Sequence, residues 1–336
     1  MKIAVIGAGA IGGYVAVKLA LAGDDVTCIV RGANLEAISK NGLKLIMDDG
    51  TEHVASNVKA TNDYDKAGQQ DMIILAMKAH QLEAIADDLH KLIGPETVIV
   101  TMQNGIPFWY FHKHGGKLAG TRVSSVDPTG KITDKIPADR VIGCVVYPAS
   151  ELIAPGVIKH IEGDRFPVGE LDGSISERVT RVSECFTKGG FKAPVLDNIR
   201  AEMWLKLWGN LTFNPISALS HSTLQDICQY PLTRELASSM MTEAQTIANK
   251  LGIEFRVPLE KRIAGAEKVG KHKTSMLQDV EAGRDPEIDA LVGSVVELGR
   301  LTETPTPHIN TVYSLVKLLA KTMGEETGHV KMQKCA

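Results

Sequence analysis

Long apolar runs, paired cysteines, aromatic residues and excess charge are all absent or scarce in this chain of 336 residues. No apolar run is long enough to span a bilayer, so we expect no membrane-spanning segment. The formal net charge of −3 gives no electrostatic reason to expect binding to nucleic acid or to an anionic membrane. The ten histidines are not spaced as metal ligands, so we expect no metal site. The five cysteines form neither a CxxC motif nor a metal-spaced cluster: Cys28, Cys144, Cys185, Cys228 and Cys335.

The overall composition is that of a globular protein, with 44% hydrophobic and 23% charged residues. The length suits two domains, each able to bury a core of its own. The apolar start of the chain is not expected to be a signal peptide, because its glycines belong to a structural motif. This favours a cytoplasmic location.

The first residues of the chain carry a glycine motif. An apolar run over residues 2–6 leads into Gly7-x-Gly9-x-x-Gly12, and a helical pattern follows at once. Gly7 permits a tight turn, Gly9 leaves room for a pyrophosphate, and Gly12 lets the helix pack closely on the sheet. The N–H groups at the helix start then face the phosphates, aided by the helix dipole. The sequence therefore predicts a dinucleotide-binding turn made of Gly7, Ala8, Gly9, Ala10, Ile11 and Gly12.

The end of the second predicted strand indicates which dinucleotide is bound. An NAD site usually places an acidic residue there, bonded to the ribose 2′-hydroxyl. Here the strand ends at Arg31, and Asp24 and Asp25 lie at its opposite end. Arg31 can pair with a 2′-phosphate through two parallel hydrogen bonds, which favours NADP (NADPH) as the cofactor. The alternative is that Arg31 is only a solvated surface charge.

Two further apolar runs, residues 72–76 and 97–101, are typical of strands that are buried on both faces. Lys78 and Asn104 follow them, at the strand ends where doubly wound sheets bind ligands. A helical pattern begins near Lys78 and runs to about Leu92. By themselves, Lys78 could be a surface lysine at a helix start and Asn104 a turn residue before Gly105.

Strand patterns are concentrated in the first half of the chain. Segments 141–147 and 166–169 predict late strands, 174–189 a helix, and 193–196 a short edge strand. From residue 198 onward the patterns are nearly all helical. We therefore predict an α/β protein in which an N-terminal Rossmann-type parallel-sheet domain, 1–197, precedes an all-helical domain, 198–336. The substrate would lie in the cleft between these domains.

The segment 198–215 is too apolar for an exposed helix, so its polar residues need an explanation. Lys206, Asn210 and Asn214 are spaced four residues apart and fall within a narrow stripe on one helix face. A lysine buried among tryptophans is costly without partners, and one ammonium with two amides could bind a small, oxygen-rich anion. The alternative is a lysine that reaches solvent and amides that cap neighbouring loops.

The segment 273–289 carries a further serine, Ser275, and a glutamate, Glu287. Pro286 fits the first position of a helix, with Asp285 as its N-cap. Glu287 would then be a first-turn acid, a position that the helix dipole favours without any function. By itself the segment does not indicate a function, and it supports one only in combination with the other segments.

Together these segments resemble the ketopantoate reductase family over nearly the whole chain. The resemblance rests on the glycine motif, on Lys78 within Met-Lys-Ala, and on Gln-Asn-Gly-Ile at 103–106. It rests further on the segment 198–210, on Asn-Pro at 214–215, on Ser-Met-Leu-Gln-Asp at 275–279 and on Glu-Ile-Asp at 287–289. These later blocks are far more specific than the glycine motif.

The resemblance implies NADPH-dependent reduction of 2-dehydropantoate (ketopantoate) to (R)-pantoate, a step towards pantothenate and coenzyme A. By position, Lys206 corresponds to the family's catalytic lysine and Glu287 to its active-site glutamate. An ammonium at the ketone oxygen stabilises the developing alkoxide and can donate the proton, and Glu287 would keep it charged and oriented. The substrate-binding positions correspond to Asn104, Asn210, Asn214, Ser275 and Lys78, of which Lys78 and Asn104 would also contact the cofactor.

One stretch departs from the family pattern. Pro107 stands where the family usually has glycine, the aromatic run 108–111 follows, and residues 107–140 have the composition of an irregular insertion. The insertion could be a lid or pocket wall that changes the accepted 2-oxo acid, or an aromatic cluster that packs on the helical domain or at a dimer contact.

Two alternative functions therefore remain. One is a reductase or D-2-hydroxy-acid dehydrogenase of the same fold that acts on another 2-oxo acid. The other is an NADPH sensor without turnover, although such a sensor would not need to keep a proton donor. In the helical domain, the apolar segments 288–301 and 312–319 fit either the core or the interface of a homodimer.

Overall fold

The computed structural model describes residues 1–332 and divides into two compact units, so Cys335 lies outside the described residues. The first unit contains Met1–Gln103, Phe108–Arg122 and Thr129–Ile199. The second unit contains Asn104–Pro107, Val123–Pro128 and the chain from Arg200 onward. Two short segments of the first half of the sequence thus belong to the second unit. The division into domains 1–197 and 198–336 remains a prediction.

The first unit contains a seven-stranded sheet with the strand order β11-β8-β7-β6-β1-β2-β5. All neighbouring strands are parallel except β8 and β11. The strands of this sheet are β1 (Lys2–Ile6), β2 (Asp25–Ile29), β5 (Lys59–Thr61), β6 (Gln70–Leu75), β7 (Ile93–Thr101), β8 (Val141–Cys144) and β11 (Val168–Gly169). The apolar residues of β1 and β6 are buried, as is typical of central strands of a parallel sheet, and the second sheet packs against α1.

The strand order reverses between β1 and β6. From β1 the chain builds outward to β2 and β5 on one side, and then returns to add β6, β7 and β8 on the other. In open parallel sheets, ligands bind outside the carboxyl ends of the strands at such a switch point. The ends of β1 and β6 therefore define where a ligand of this unit is expected.

A second sheet of four strands has the order β4-β3-β10-β9. Its strands are β3 (Leu43–Ile46), β4 (Glu52–Ala55), β9 (Ala149–Ala154) and β10 (Val157–Glu162). The helices of the first unit are α1 (Ala10–Leu21), α2 (Gly32–Asn41), α3 (Tyr64–Ala67), α4 (Lys131–Lys135) and α5 (Glu177–Lys188). Helix α1 packs against β10, where a Cβ added to Gly13 would lie 2.6 Å from the Ile158 side chain.

Two local predictions for the first unit were wrong. Instead of one helix from Lys78 to Leu92, the chain forms two 3₁₀ segments, Ala79–Ile85 and Leu89–Leu92. Residues 193–196 form no strand, because Val195 makes only an isolated bridge to Val168. In both places the apolar pattern alone does not decide the backbone conformation, because the same spacing of apolar residues is compatible with more than one form.

The second unit is helical. Its helices are α6 (Ile199–Ser220, whose first residue belongs to the first unit), α7 (Leu224–Gln229), α8 (Pro231–Lys250), α9 (Leu259–Lys268), α10 (Ser275–Glu281), α11 (Ser294–Leu301) and α12 (Pro307–Glu325). A π-helical turn, Asp289–Gly293, leads directly into α11. Within residues 1–332, no helix combines the length and apolar character needed to cross a membrane. The predicted fold class, a parallel-sheet domain followed by a helical domain, is confirmed.

Candidate active site

The glycine turn between β1 and α1 has the close packing that its motif predicts. Gly7 has φ +90°, in the left-handed region that favours glycine. A Cβ added to Gly12 would overlap the carbonyl of Gly7 and lie 2.9 Å from the Cβ of Ala76. Glycine is therefore required at position 12, because the start of α1 crosses directly over the ends of β1 and β6.

The start of α1 can accept an anion. A Cβ added to Gly9 would meet nothing within 4 Å, so the space beside this residue is open. Gly9 is the N-cap residue, and no side chain caps the helix. The first N–H groups of a helix have no partner within it and carry the positive end of its dipole. The turn from Gly7 to Gly12 thus fits a pyrophosphate.

The end of β2 presents a cation and no acid. Arg31 is exposed and occupies the N-cap position of α2. Asp24 binds the N-terminal amine at 2.8 Å and Asp25 binds Lys59 at 2.7 Å, both at the opposite end of the strand. Sequence reasoning missed Asn34, whose Nδ2 donates to the carbonyl of Ala8 at 3.4 Å and ties α2 to the glycine turn.

Three of the proposed site residues form one hydrogen-bonded chain in the second unit. Lys206 Nζ donates to Asn104 Oδ1 at 2.6 Å, and Asn104 Nδ2 donates to Glu287 Oε2 at 3.1 Å. Each end of the amide meets the charge that it can satisfy, since its oxygen faces an ammonium and its NH₂ group faces a carboxylate. Asn104 therefore connects Lys206 to Glu287 and orients both.

Backbone contacts bring Asn104 to this place. The N–H of Ile106 donates to the carbonyl of Ala290 at 2.9 Å, which fixes the segment Asn104–Pro107 against the π-helical turn. Gly105 has φ +85°, and a Cβ added to it would overlap the same carbonyl of Ala290. The residue between Asn104 and Ile106 must therefore be a glycine.

The same turn explains the position of Glu287. The prediction that Asp285 is an N-cap and Pro286 the first helical residue was wrong, because residues 284–287 are not helical. The carbonyl of Glu287 accepts the N–H of Leu291 at 3.3 Å, so Glu287 itself stands at the edge of the helix. Its side chain is thereby presented beside Asn104 rather than on a first helical turn.

The other predicted substrate residues lie further along α6 and at the start of α10. Asn214 is buried, and its Nδ2 lies 3.5 Å from the hydroxyl of Ser275, the first residue of α10. Asn210 is half-buried and occupies the same helical stripe, between Lys206 and Asn214. The second unit thus holds an ammonium, a carboxylate, several amides and a hydroxyl on neighbouring elements.

Lys78 lies in the first unit, half-buried at the start of the 3₁₀ segment that follows β6. Its backbone N–H donates to Gln81 Oε1 at 3.3 Å.

The aromatic run 108–111 belongs to the core of the first unit. Tyr110 and Phe111 are fully buried, and the indole of Trp109 donates to the Thr101 hydroxyl at 2.9 Å. Within residues 1–332, no group of side chains is arranged to hold a metal ion.

Comparison with known proteins identifies the family. The profile described as "Ketopantoate reductase PanE/ApbA" matches residues 3–173, and its C-terminal counterpart, "Ketopantoate reductase PanE/ApbA C terminal", matches residues 198–320. A 2-dehydropantoate 2-reductase from Mesorhizobium japonicum is 55% identical over 96% of this chain and 99% of its own length. One from Pyrococcus horikoshii is 30% identical over 94% and 97%.

A solved structure agrees. The crystal structure of a candidate ketopantoate reductase from Ralstonia solanacearum MolK2 is 40% identical to this chain and superimposes with a TM-score of 0.92, covering 96% of this chain and 98% of that one. The matched profiles span both units and include all of the polar residues described above. The chain belongs to the ketopantoate reductase family, whose members are NAD(P)-dependent reductases.

Proposed function

We propose that this protein reduces the ketone of 2-dehydropantoate to the alcohol of (R)-pantoate, with NADPH as the reductant. The observation that carries this proposal is the hydrogen-bonded chain Lys206–Asn104–Glu287. It offers a positioned ammonium, which is what the reduction of a ketone requires. The 55% identical relative with this printed activity, aligned over nearly the full length of both chains, supports the choice of substrate.

The chemistry assigned to the chain is proton donation and charge stabilisation. A bound nicotinamide supplies a hydride to the carbonyl carbon of the substrate. Lys206 Nζ faces the carbonyl oxygen, stabilises the negative charge that develops there, and gives that oxygen a proton. Asn104 Oδ1 fixes the direction of the ammonium, and the carboxylate of Glu287 fixes the amide of Asn104 in turn. Lys206 then recovers a proton from solvent.

The remaining polar groups of the second unit are assigned to substrate binding. Asn210, Asn214 and Ser275 supply amide and hydroxyl donors for the carboxylate and hydroxyl groups of the substrate. The 3.5 Å contact between Asn214 and Ser275 is long, so either group can exchange it for a bond to an oxygen of the substrate at little cost. Lys78 is assigned a contact with both the cofactor and the substrate.

NADPH is proposed over NADH because of the end of β2. Arg31 is exposed there. Asp24 and Asp25 lie at the opposite end of the strand, where they form ion pairs with the N-terminal amine and with Lys59. The glycine turn and Asn104 complete the proposed cofactor contacts. A homodimer and a cytoplasmic location also remain proposals. The exposed side chains of Leu315 and Leu318 on α12, at 52% and 59%, support the homodimer.

The test is an assay with a panel of 2-oxo acids, in which the near-ultraviolet absorbance monitors the oxidation of NADPH. Turnover that is highest with ketopantoate supports the proposal. Higher turnover with another branched or aromatic 2-oxo acid would instead favour a related reductase or D-2-hydroxy-acid dehydrogenase. Binding of NADPH without oxidation of any substrate would indicate a sensor.

A further inference from the structure

The π-helical turn differs from an α-helix in one hydrogen bond that bears on the site. In an α-helix the N–H of Ser294 would donate to the carbonyl of Ala290, four residues earlier. Here it donates to the carbonyl of Asp289, five residues earlier. The Ala290 carbonyl accepts the Ser294 hydroxyl at 2.7 Å and the N–H of Ile106 at 2.9 Å. The shifted hydrogen bond therefore makes this carbonyl available to the segment that carries Asn104.

Two side chains of α12 bind the first residue of this turn. Tyr313 Oη donates to Asp289 Oδ1 at 2.8 Å, and Lys317 Nζ donates to Asp289 Oδ2 at 2.9 Å. Tyr313 and Lys317 are one helical turn apart, so they lie on the same face of α12. The ion pair with Lys317 is half-exposed and is expected to contribute little to stability. The hydrogen bond from Tyr313 is therefore the stronger link between α12 and the turn.

Tyr313 also packs against the last residue of the turn, Gly293. A Cβ added to Gly293 would lie 3.1 Å from Tyr313 Oη and 3.2 Å from Asp289 Oδ1. One tyrosine side chain therefore contacts both ends of the π-helical turn. Burial, together with the hydrogen bond to Asp289 and its negative charge, raises the pKa of Tyr313 to about 12. The hydroxyl keeps its proton at neutral pH and remains a hydrogen-bond donor to Asp289.

We propose that Asp289 and Tyr313 are positioning residues for the reaction. Their hydrogen bond stabilises the π-helical turn, whose Ala290 carbonyl fixes the segment that carries Asn104. Asn104 in turn orients the ammonium of Lys206. The inference rests on the proposed function, because it takes Lys206 to be the proton donor. Single π-helical turns are frequent at functional sites, and here the turn supplies a backbone acceptor that a regular α-helix would use internally.

The first test measures hydrogen exchange at the backbone amide of Ile106 by NMR on the full chain without ligand. Asp289→Ala should increase the exchange rate of this amide ~10-fold, because its hydrogen bond depends on the turn. Asp289→Asn keeps an oxygen acceptor for Tyr313 and should stay within about threefold of the wild-type rate. The amide of Ile253 donates to the carbonyl of Ala248 in the same unit, and its exchange rate should be unchanged in both variants.

The second test measures whether the effect reaches catalysis. Tyr313→Phe removes only the hydroxyl and should lower kcat ~10-fold, with the KM for NADPH within about threefold of wild type. Tyr230→Phe removes the hydroxyl of an exposed tyrosine and should change neither constant. In an Asn104→Ala background, Tyr313→Phe should lower kcat by no more than about twofold, because the residue that it positions is absent.

An unchanged exchange rate at Ile106 in Asp289→Ala, or an equal increase at Ile253, would overturn the proposal. A loss of kcat in Tyr313→Phe that is fully retained in the Asn104→Ala background would also overturn it, because a purely structural role predicts that result. If Asp289→Ala does not fold, Tyr313→Phe decides the question by the same exchange measurement. Hydrogen exchange requires no substrate, so failure of ketopantoate reduction as the function would be seen separately, in the substrate panel.

Discussion

Replacement of Gly105 by alanine should weaken both the fold of the second unit and catalysis. The added Cβ would overlap the carbonyl of Ala290, which accepts the N–H of Ile106 at 2.9 Å. The backbone at this position also has φ +85°. The segment must therefore move away from the π-helical turn, and Asn104 must move with it.

The expected magnitude follows from these contacts. A side chain in the left-handed region costs ~1–2 kcal/mol, and loss of the Ile106–Ala290 hydrogen bond costs ~0.5–1.5 kcal/mol. The backbone shift that removes the overlap costs a further ~1–3 kcal/mol. We expect the free energy of unfolding of the second unit to fall by about 2.5–6.5 kcal/mol. A displacement of Asn104 by ~1 Å should lower kcat by ~100-fold.

Gly50 provides a matched control. It also has φ +85°, but a Cβ added there would meet nothing within 4 Å. Gly50→Ala should cost only the backbone strain, ~1–2 kcal/mol, and leave kcat unchanged. Scanning calorimetry and steady-state kinetics would compare the two variants. If Gly105→Ala is no less stable and no slower than Gly50→Ala, the contact with Ala290 does not position Asn104.

Three further variants test separate parts of the site. Lys206→Ala should lower kcat at least ~100-fold while NADPH still binds, as measured by fluorescence titration, and near-normal turnover would remove Lys206 from the mechanism. Arg31→Ala should raise the KM for NADPH ~10–100-fold and leave that for NADH unchanged, with the exposed Arg181→Ala as a charge-matched control. An equal effect of both arginine substitutions would contradict the assignment of Arg31. Asn214→Ala should raise the KM for ketopantoate ~10-fold with a smaller effect on kcat, and an unchanged KM would exclude it from substrate binding.

The glycine turn could be predicted in detail because its constraints are local. Gly7 and Gly12 meet within a few residues of each other, and the geometry of one strand, one turn and one helix determines what each must be. The buried strands could also be predicted from the sequence, because a continuous apolar run is typical of a strand in a sheet that is covered on both faces. The 3₁₀ segments after Lys78 could not be predicted from the sequence, because the spacing of their apolar residues matches that of an α-helix.

The site of the second unit could be predicted only as separate residues. Asn104 is 102 positions from Lys206 and 183 from Glu287, and no local pattern shows that its amide joins them. Glu287 precedes the π-helical turn, whose Ala290 carbonyl accepts the N–H of Ile106, and no local sequence pattern reveals either the turn or this contact. The resemblance to the family indicated which residues belong to the site. The structure shows which of them are joined by hydrogen bonds.

The central claim is that Lys206 and Asn104 act as one unit in the reduction of ketopantoate. The most direct test is a double-mutant cycle on kcat with Asn104→Ala, Lys206→Ala and the double variant. If Asn104 acts by orienting the ammonium, the double variant should be no slower than Lys206→Ala alone, within about threefold. Losses that multiply in the double variant would contradict the account, because the two side chains would then contribute independently.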